Sequence, residues 1–132
     1  MRKITEDWSV DIDDSFQRRI EDESLVFWKP GQSVWINCWG DGTHPSKAEA
    51  LANVREDADP QRRQVLDEED GDIYRFIYAL TEQQDNKVRY AAYSFAVIEG
   101  QYLQMAIYFD SLDDRAWALS VARSPIFRDT AK

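Results

Sequence analysis

The segment 101–109 alternates between two kinds of side chain, and this pattern restricts the fold more than any other feature of the sequence. One set is Leu103, Met105, Ile107 and Phe109, and the other is Tyr102, Gln104, Ala106 and Tyr108. A period of two residues is that of a β-strand with one buried face. The connections at 83–86 and 99–100 are short, so they force neighbouring strands to run antiparallel. We therefore predict an antiparallel sheet in the C-terminal half of the chain.

The rest of the chain adds further strands and two helices. Strands are predicted at residues 8–12, 25–29, 34–39, 65–66, 73–81, 87–98 and 101–109, with 16–22 as a polar connection. Ser46 and Glu49 have the spacing of a capping box, which predicts a helix that ends before Asp59-Pro60. A second helix is predicted after Ser111 and ends before Pro125. The order βββ-α-ββββ-α predicts an α+β fold, an antiparallel β-sheet of about six to seven strands with two helices.

Length and charge narrow the classes of protein further. The chain fits a single globular domain over residues 1–132, with its core at about 8–127. Its 16 basic and 25 acidic residues give a net charge of −9, which argues against nucleic-acid and anionic-lipid partners. The longest near-apolar run, 90–98, is far shorter than the about 20 residues that span a bilayer. Acidic residues follow Arg2 and Lys3 where a signal peptide needs an apolar stretch, so we predict a cytoplasmic protein.

The residues that bind metals or react as nucleophiles are few. One cysteine and one histidine leave no internal disulfide and no zinc-type ligand set, so no metal site and no cofactor are predicted. Cys38 shares its side of the strand with Val34 and Ile36 and is predicted to be a small buried hydrophobe. The acidic run 67–72 lacks the spacing of a calcium loop, because Gly71 as the sixth position would place apolar residues first and twelfth. This run is predicted to be a solvated hairpin.

Most of the acidic side chains lie in two segments. Residues 6–23 and 56–72 hold eight acidic and two basic residues each. Acidic surfaces accelerate and select encounters with basic proteins. One hypothesis for function is therefore an acidic immunity-type inhibitor of a basic toxin.

The lone histidine, His44, lies close in sequence to Asp41, Thr43 and Ser46. A carboxylate, an imidazole and a hydroxyl are the groups of a catalytic triad, but triads are assembled by the fold rather than by sequence proximity. Ser46 is also the predicted helix cap. A small enzyme that uses Asp41 and His44 is an alternative hypothesis, and it requires His44 to line a pocket and to meet an acid.

The strand at 34–39 directs one set of side chains away from Cys38. If both helices cover the Leu103 side of the sheet, this set and part of the strand at 101–109 form a free amphipathic surface. We call the following six residues the predicted binding face: Trp35, Asn37, Trp39, Tyr102, Gln104 and Tyr108. Aromatic rings interspersed with amides adhere to a partner while they remain hydrated. The alternative is ordinary burial of these rings beneath loops or in a homodimer.

The order of elements and two short motifs resemble the PsbP/DcrB-like proteins over about residues 8–127. The motifs are the opening W-x-V-x-I from Trp8 to Ile12 and the closing A-x-x-x-x-x-A-x-S-P-I from Ala116 to Ile126. The resemblance implies a central antiparallel sheet flanked by helices and a role in binding or assembly without enzymatic activity. Such proteins include a photosystem subunit, a Ran-GTPase-binding import factor, periplasmic lipoproteins, and leaderless chaperones of type VI secretion effectors, which bind apolar effector segments on the sheet. No motif assigns a binding residue.

These observations lead to one main hypothesis. We expect a non-enzymatic cytoplasmic protein-binding module, chaperone-like or effector-associated, that uses the predicted binding face to hold another protein.

Overall fold

The structure, a computed structural model, describes residues 1–129. These residues form an α+β fold of ten strands and two α-helices, and the strands make two antiparallel sheets. The strands are β1 Arg2–Lys3, β2 Trp8–Val10, β3 Gln17–Glu21, β4 Ser24–Lys29, β5 Gln32–Trp39, β6 Arg63–Asp70, β7 Ile73–Gln84, β8 Lys87–Ile98, β9 Gln101–Phe109 and β10 Ile126–Phe127. The helices are α1 Lys47–Asp57 and α2 Arg115–Ala122, with a 3₁₀ turn at Leu112–Asp114 before α2.

The main sheet has seven strands in the order β3-β4-β5-β9-β8-β7-β6, and the small sheet has the order β1-β2-β10. The predicted α+β class and the broad order of strands and helices are confirmed. The strand that opens with Trp8 lies in the small sheet, however, because β10 returns after α2 to pair with it. The predicted start of the first helix agrees with the structure, since Ser46 and Glu49 form a capping box. At the second, Ser111 caps the 3₁₀ turn and α2 itself begins later, at Arg115.

The prediction that 16–22 is a polar connection is wrong, since β3 occupies most of it and pairs with β4. This edge strand exposes nearly all of its side chains, so the chain shows no alternation of polarity there; even Ile20 is 74% exposed. The hairpin turn uses Asp22 and Glu23, both with positive φ. Aspartate is common at the first position of such a turn, but Glu23 stands where glycine is usual.

The two helices pack on opposite faces of the main sheet, and not on one face as the predicted binding face assumed. Helix α2 buries Ala118 and Val121 against the side that carries Leu103 and Ile107. Helix α1 joins β5 to the far edge strand and crosses the other face over β8 and β9. It can pack there because β7 and β8 are apolar on both faces, as expected for central strands that are covered on both sides. The residues of this second cluster in the sheet are Phe76, Tyr78, Phe95 and Val97.

Candidate functional site

Strand pairing places the whole predicted binding face on one side of the main sheet. In the β5–β9 register, Trp35 lies opposite Ala106, Asn37 opposite Gln104, and Trp39 opposite Tyr102. Paired residues in an antiparallel ladder share a face. Tyr108 lies opposite Ser33, so all six residues share this side and form one continuous surface.

Tyr102 does not belong to the free part of this surface. It is partly buried against the hydrophobic cluster beneath helix α1. Burial raises the pKa of the Tyr102 phenol, and the nearby Asp57 carboxylate raises it further. Tyr102 is therefore part of the packing of α1, which the assumption of two helices on one face concealed.

Trp28 takes a place on this surface that the sequence reasoning missed. It pairs with Ser33 on the same side as Trp35. The alternation of Val26 and Trp28 along β4 carried this signal, because a two-residue period places them together. We call Trp28, Trp35, Asn37, Trp39, Gln104 and Tyr108 the open face. Among the described residues, the cluster beneath α1 includes none from β3, β4 or β5.

The rings of the open face are held in place by their neighbours. Trp39 is 49% exposed and donates from Nε1 to Oε1 of Gln104 at 2.8 Å. Ser24 donates from Oγ to Oδ1 of Asn37 at 3.0 Å. The other rings are half-buried by lateral packing along the sheet. The surface is therefore partly preorganised, which lowers the entropy lost when a partner binds.

An ion pair supports Tyr108 at one end of the open face. The Arg89 guanidinium carbon lies 4.0 Å from the centroid of the Tyr108 ring, and Nη2 of Arg89 donates to Oε2 of Glu82 at 2.7 Å. Tyr93 donates to the other Glu82 oxygen at 2.6 Å. Burial acts to raise the pKa of Glu82, but the hydrogen bonds from Tyr93 and Arg89 outweigh it and lower the pKa overall. Glu82 is thus ionised at neutral pH and neutralises Arg89.

A shallow pocket of about 320 Å³ lies at the same end, between Trp28 and Tyr108. The Arg19 guanidinium carbon lies 5.3 Å from the centroid of the Trp28 ring and pairs with Glu21. Within the described part of the chain, Nε of Arg89 is buried and has no hydrogen-bond partner. This nitrogen is a donor. A ligand that supplies an acceptor would satisfy it.

The Asp41 and His44 side chains form a turn instead of a catalytic arrangement. Asp41 Oδ1 accepts from the backbone nitrogens of Thr43 and His44 at 2.8 and 2.6 Å, and from the Thr43 hydroxyl at 2.8 Å. His44 Nδ1 lies 3.8 Å from Asp41 Oδ2, but the imidazole is 80% exposed and does not line the pocket between Trp28 and Tyr108. The enzyme hypothesis requires His44 to line a pocket, and this exposure argues against it; Ser46 caps α1.

The turn at Asp41 leads to a prediction on acid stability. Hydrogen bonds from the Thr43 and His44 backbones lower the pKa of Asp41 from 3.8 to about 2. A carboxylate with a lowered folded-state pKa stabilises the fold above its unfolded pKa, and this contribution disappears as pH falls through the folded pKa. We expect the stability difference between the wild type and Asp41→Asn to shrink between about pH 4 and pH 2. Urea unfolding at several pH values measures it, with Asp11→Asn as the control for loss of one exposed carboxylate; a difference independent of pH would contradict the prediction.

The prediction that Cys38 is buried is wrong. Cys38 lies on the expected side of β5, opposite Leu103, but it is exposed. The reason is strand length: β4 starts at Ser24, and its register with β5 extends only as far as Leu25 and Ile36. Cys38 therefore projects past the end of β4. Surrounding atoms still desolvate the sulfur and raise the pKa of the thiol to about 11, so it is protonated at neutral pH.

Three of the eight acidic side chains in the second acidic segment, residues 56–72, form ion pairs with described residues. Residues 63–70 of this segment are the edge strand β6, which forms the predicted hairpin with β7. Arg55 contacts Asp67 at 2.7 Å, and the buried Arg75 contacts Asp70 at 3.2 Å and Glu68 at 3.8 Å. No group of three or more potential metal ligands occurs in residues 1–129. None of the helices in that range is long and apolar enough to cross a membrane.

Comparisons with known proteins identify the fold and no family. No family model and no curated protein matches the sequence. A protein from Bacteroides thetaiotaomicron superimposes with a TM-score of 0.72 at 10% identity over 95% of this chain, which spans only 46% of the length of that protein. LpqN, involved in cell envelope biogenesis of Mycobacterium tuberculosis, superimposes with a TM-score of 0.64 at 11% identity over 91% of this chain and 82% of LpqN. These likenesses concern the fold alone.

Proposed function

We propose that this chain is a non-enzymatic protein-binding module that holds an apolar segment of another protein on the open face. The observation that carries this proposal is that half of one sheet face presents three tryptophans and a tyrosine beyond the cover of helix α1. Tryptophan, tyrosine and arginine are the residues that dominate binding energy at protein interfaces. An interface core is also poor in unpaired charge. Arg19 and Arg89 each have a carboxylate partner, so the open face is close to neutral although the chain carries −9.

The open face also indicates what the bound segment presents. The rings offer contact area for apolar side chains, and the Asn37 and Gln104 amides offer hydrogen bonds beside them. The unpaired Nε of Arg89 matches one acceptor, which a peptide backbone supplies at every residue. We infer an apolar segment whose backbone is accessible at the Tyr108 end. A chaperone-like or effector-associated role agrees with such an occupant; that role, the cytoplasmic location and the PsbP/DcrB resemblance stay predictions.

Alanine substitution on the open face tests the proposal. We expect Trp35→Ala or Tyr108→Ala to weaken binding at least about 30-fold, the effect of losing an interface hot spot of about 2 kcal/mol. Partner recovery from cells of the source organism, quantified by mass spectrometry, identifies the partner. Calorimetry with the purified partner then gives the change in affinity.

The matched control is Val88→Ala, which removes a 44% exposed apolar side chain on the opposite side of the sheet. It should leave recovery unchanged, and thermal unfolding should show that all variants are folded. Full recovery by both open-face variants would remove the proposal. A doubled mass in solution that Trp39→Ala returns to that of a monomer would indicate that a second copy covers this face.

A further inference from the structure

A cleft separate from the open face lies between helix α2 and the edge strand β6. Its volume is about 640 Å³, within the range of about 300–1,000 Å³ that is typical of small-molecule sites. Helix α2 and the 3₁₀ turn form one wall, β6 forms the other, and β7 and β8 form the floor. None of the six residues that define the open face lines this cleft, so the cleft is an independent surface.

The cleft collects apolar side chains that are left in contact with solvent. Eight large hydrophobic residues are exposed in the described chain, and four of them line this cleft with 38% to 58% of their surface accessible. The four are Val65, Leu66, Leu112 and Leu119. A concentration of exposed apolar surface of this kind marks a binding site more often than chance exposure does.

Small side chains explain why the space is open. The side chains facing the cleft include three alanines in β7, β8 and α2, where larger residues would fill the gap: Ala79, Ala92 and Ala118. The register of β6 shifts between Arg63 and Leu66, and Gln64 within this irregularity has a φ of 53°. An irregularity of this kind bends an edge strand locally. The cleft is thus built into the backbone and the choice of side chains.

Two arginines give the apolar cleft positive charge. Arg63 and Arg115 both line it, and neither side chain forms an ion pair or a hydrogen bond with any residue of the described chain. This is notable in a chain with 25 acidic residues. Arg115 lies three residues after Leu112 and four before Leu119, so helical spacing puts the charge between two of the exposed leucines.

We propose that this cleft binds a free single-chain anionic amphiphile, with its carboxylate at Arg63 and Arg115 and its alkyl chain along the alanine floor. Unpaired guanidinium groups recognise a carboxylate with charge-assisted hydrogen bonds. The apolar lining fits an alkyl chain. The arginines and the apolar lining together call for a ligand that carries a carboxylate and an alkyl chain in one molecule. The net charge of −9 opposes docking on an anionic bilayer, which is why the occupant is a free molecule.

Calorimetry with dodecanoate below its micellar concentration tests the proposal directly. We expect one molecule to bind per chain, and dodecyltrimethylammonium, whose alkyl chain is one carbon longer and whose charge is opposite, to bind at least ten-fold more weakly. The double variant Arg63→Gln/Arg115→Gln should weaken dodecanoate binding at least ten-fold. Arg18→Gln, which removes an exposed arginine on β3 outside the cleft, should not change it.

A filling variant separates binding in the cleft from binding elsewhere. Ala79→Leu adds volume at a half-buried floor position and should abolish binding of dodecanoate while thermal unfolding remains cooperative. Absence of dodecanoate binding would overturn the proposal, as would affinity that neither the arginine variants nor Ala79→Leu reduce. Cosedimentation with phosphatidylglycerol vesicles in the absence of dodecanoate binding would overturn it in favour of a membrane surface. Trp35→Ala should leave dodecanoate binding intact. Absence of dodecanoate binding would therefore leave the protein-binding proposal standing, and loss of partner binding would leave the cleft proposal standing.

Discussion

Replacing Trp8 with alanine should lower the free energy of unfolding by about 3–5 kcal/mol, the usual loss for a buried aromatic side chain. Trp8 is 1% exposed and lies in the central strand of the small sheet. Its ring meets Phe127 edge-on at 5.1 Å between centroids, and Nε1 donates to Oε1 of Gln101 at 3.0 Å. One side chain therefore joins the N-terminal strands, the C-terminal strand and the main sheet.

Chemical denaturation measures this loss, and Trp39→Ala is the matched control. This variant also removes an indole, but from the rim of the open face, where Trp39 is 49% exposed. We expect it to cost about 1 kcal/mol or less, as is usual for surface positions with one hydrogen bond. Equal losses for the two variants would mean that the small sheet contributes little to the stability of the fold.

Local signals in the sequence were sufficient for most elements of the main sheet. The strands at 87–98 and 101–109 have the bounds that periodicity predicts. Ser46 and Glu49 likewise fix the start of α1 through contacts within four residues. In each case the information is local, because alternation and capping depend only on neighbours along the chain.

The remaining features depend on contacts that the chain makes at a distance. Strand β10 pairs with β2, which is more than a hundred residues away in the sequence. No pattern among neighbouring residues therefore predicts the small sheet. Edge strand β3 buries little and therefore lacks alternation. The exposure of Cys38 depends on where a neighbouring strand begins.

The candidate site follows the same division. Periodicity sorted five residues of the open face within their own strands, three on β5 and two on β9. The pairing of β5 with β9 then places them on one side of the sheet. The position of α1 decides which part of that side is uncovered. Tyr102 packs beneath α1 and is therefore not part of the open face, whereas Trp28 lies beyond the helix and is. The cleft beside α2 arises from small residues in three elements and was invisible to motif reasoning.

The loop that follows Trp39 depends on a glycine in the β8–β9 turn. Gly100 has a φ of 86° and exchanges backbone hydrogen bonds with this loop, donating to Pro45 O at 3.0 Å and accepting from Gly42 N at 3.1 Å. A Cβ atom at Gly100 would collide with the carbonyl group of Gly42 and lie 2.9 Å from Thr43 N. The obstacle is backbone, so no side-chain rotation relieves it.

Gly100→Ala should therefore destabilise the protein by about 3 kcal/mol or more, combining the cost of a left-handed conformation with that of overpacking. Gly71→Ala isolates the first of these effects, because Gly71 has a φ of 61° and no atom lies within 4 Å of the added Cβ. That control should cost about 1 kcal/mol. Urea unfolding of both variants gives the comparison, and hydrogen exchange at the Gly42 amide reports on the contact itself. If Gly100→Ala loses no more stability than Gly71→Ala, the loop is free to move away from the turn, and its packing against Gly100 does not hold it beside the open face.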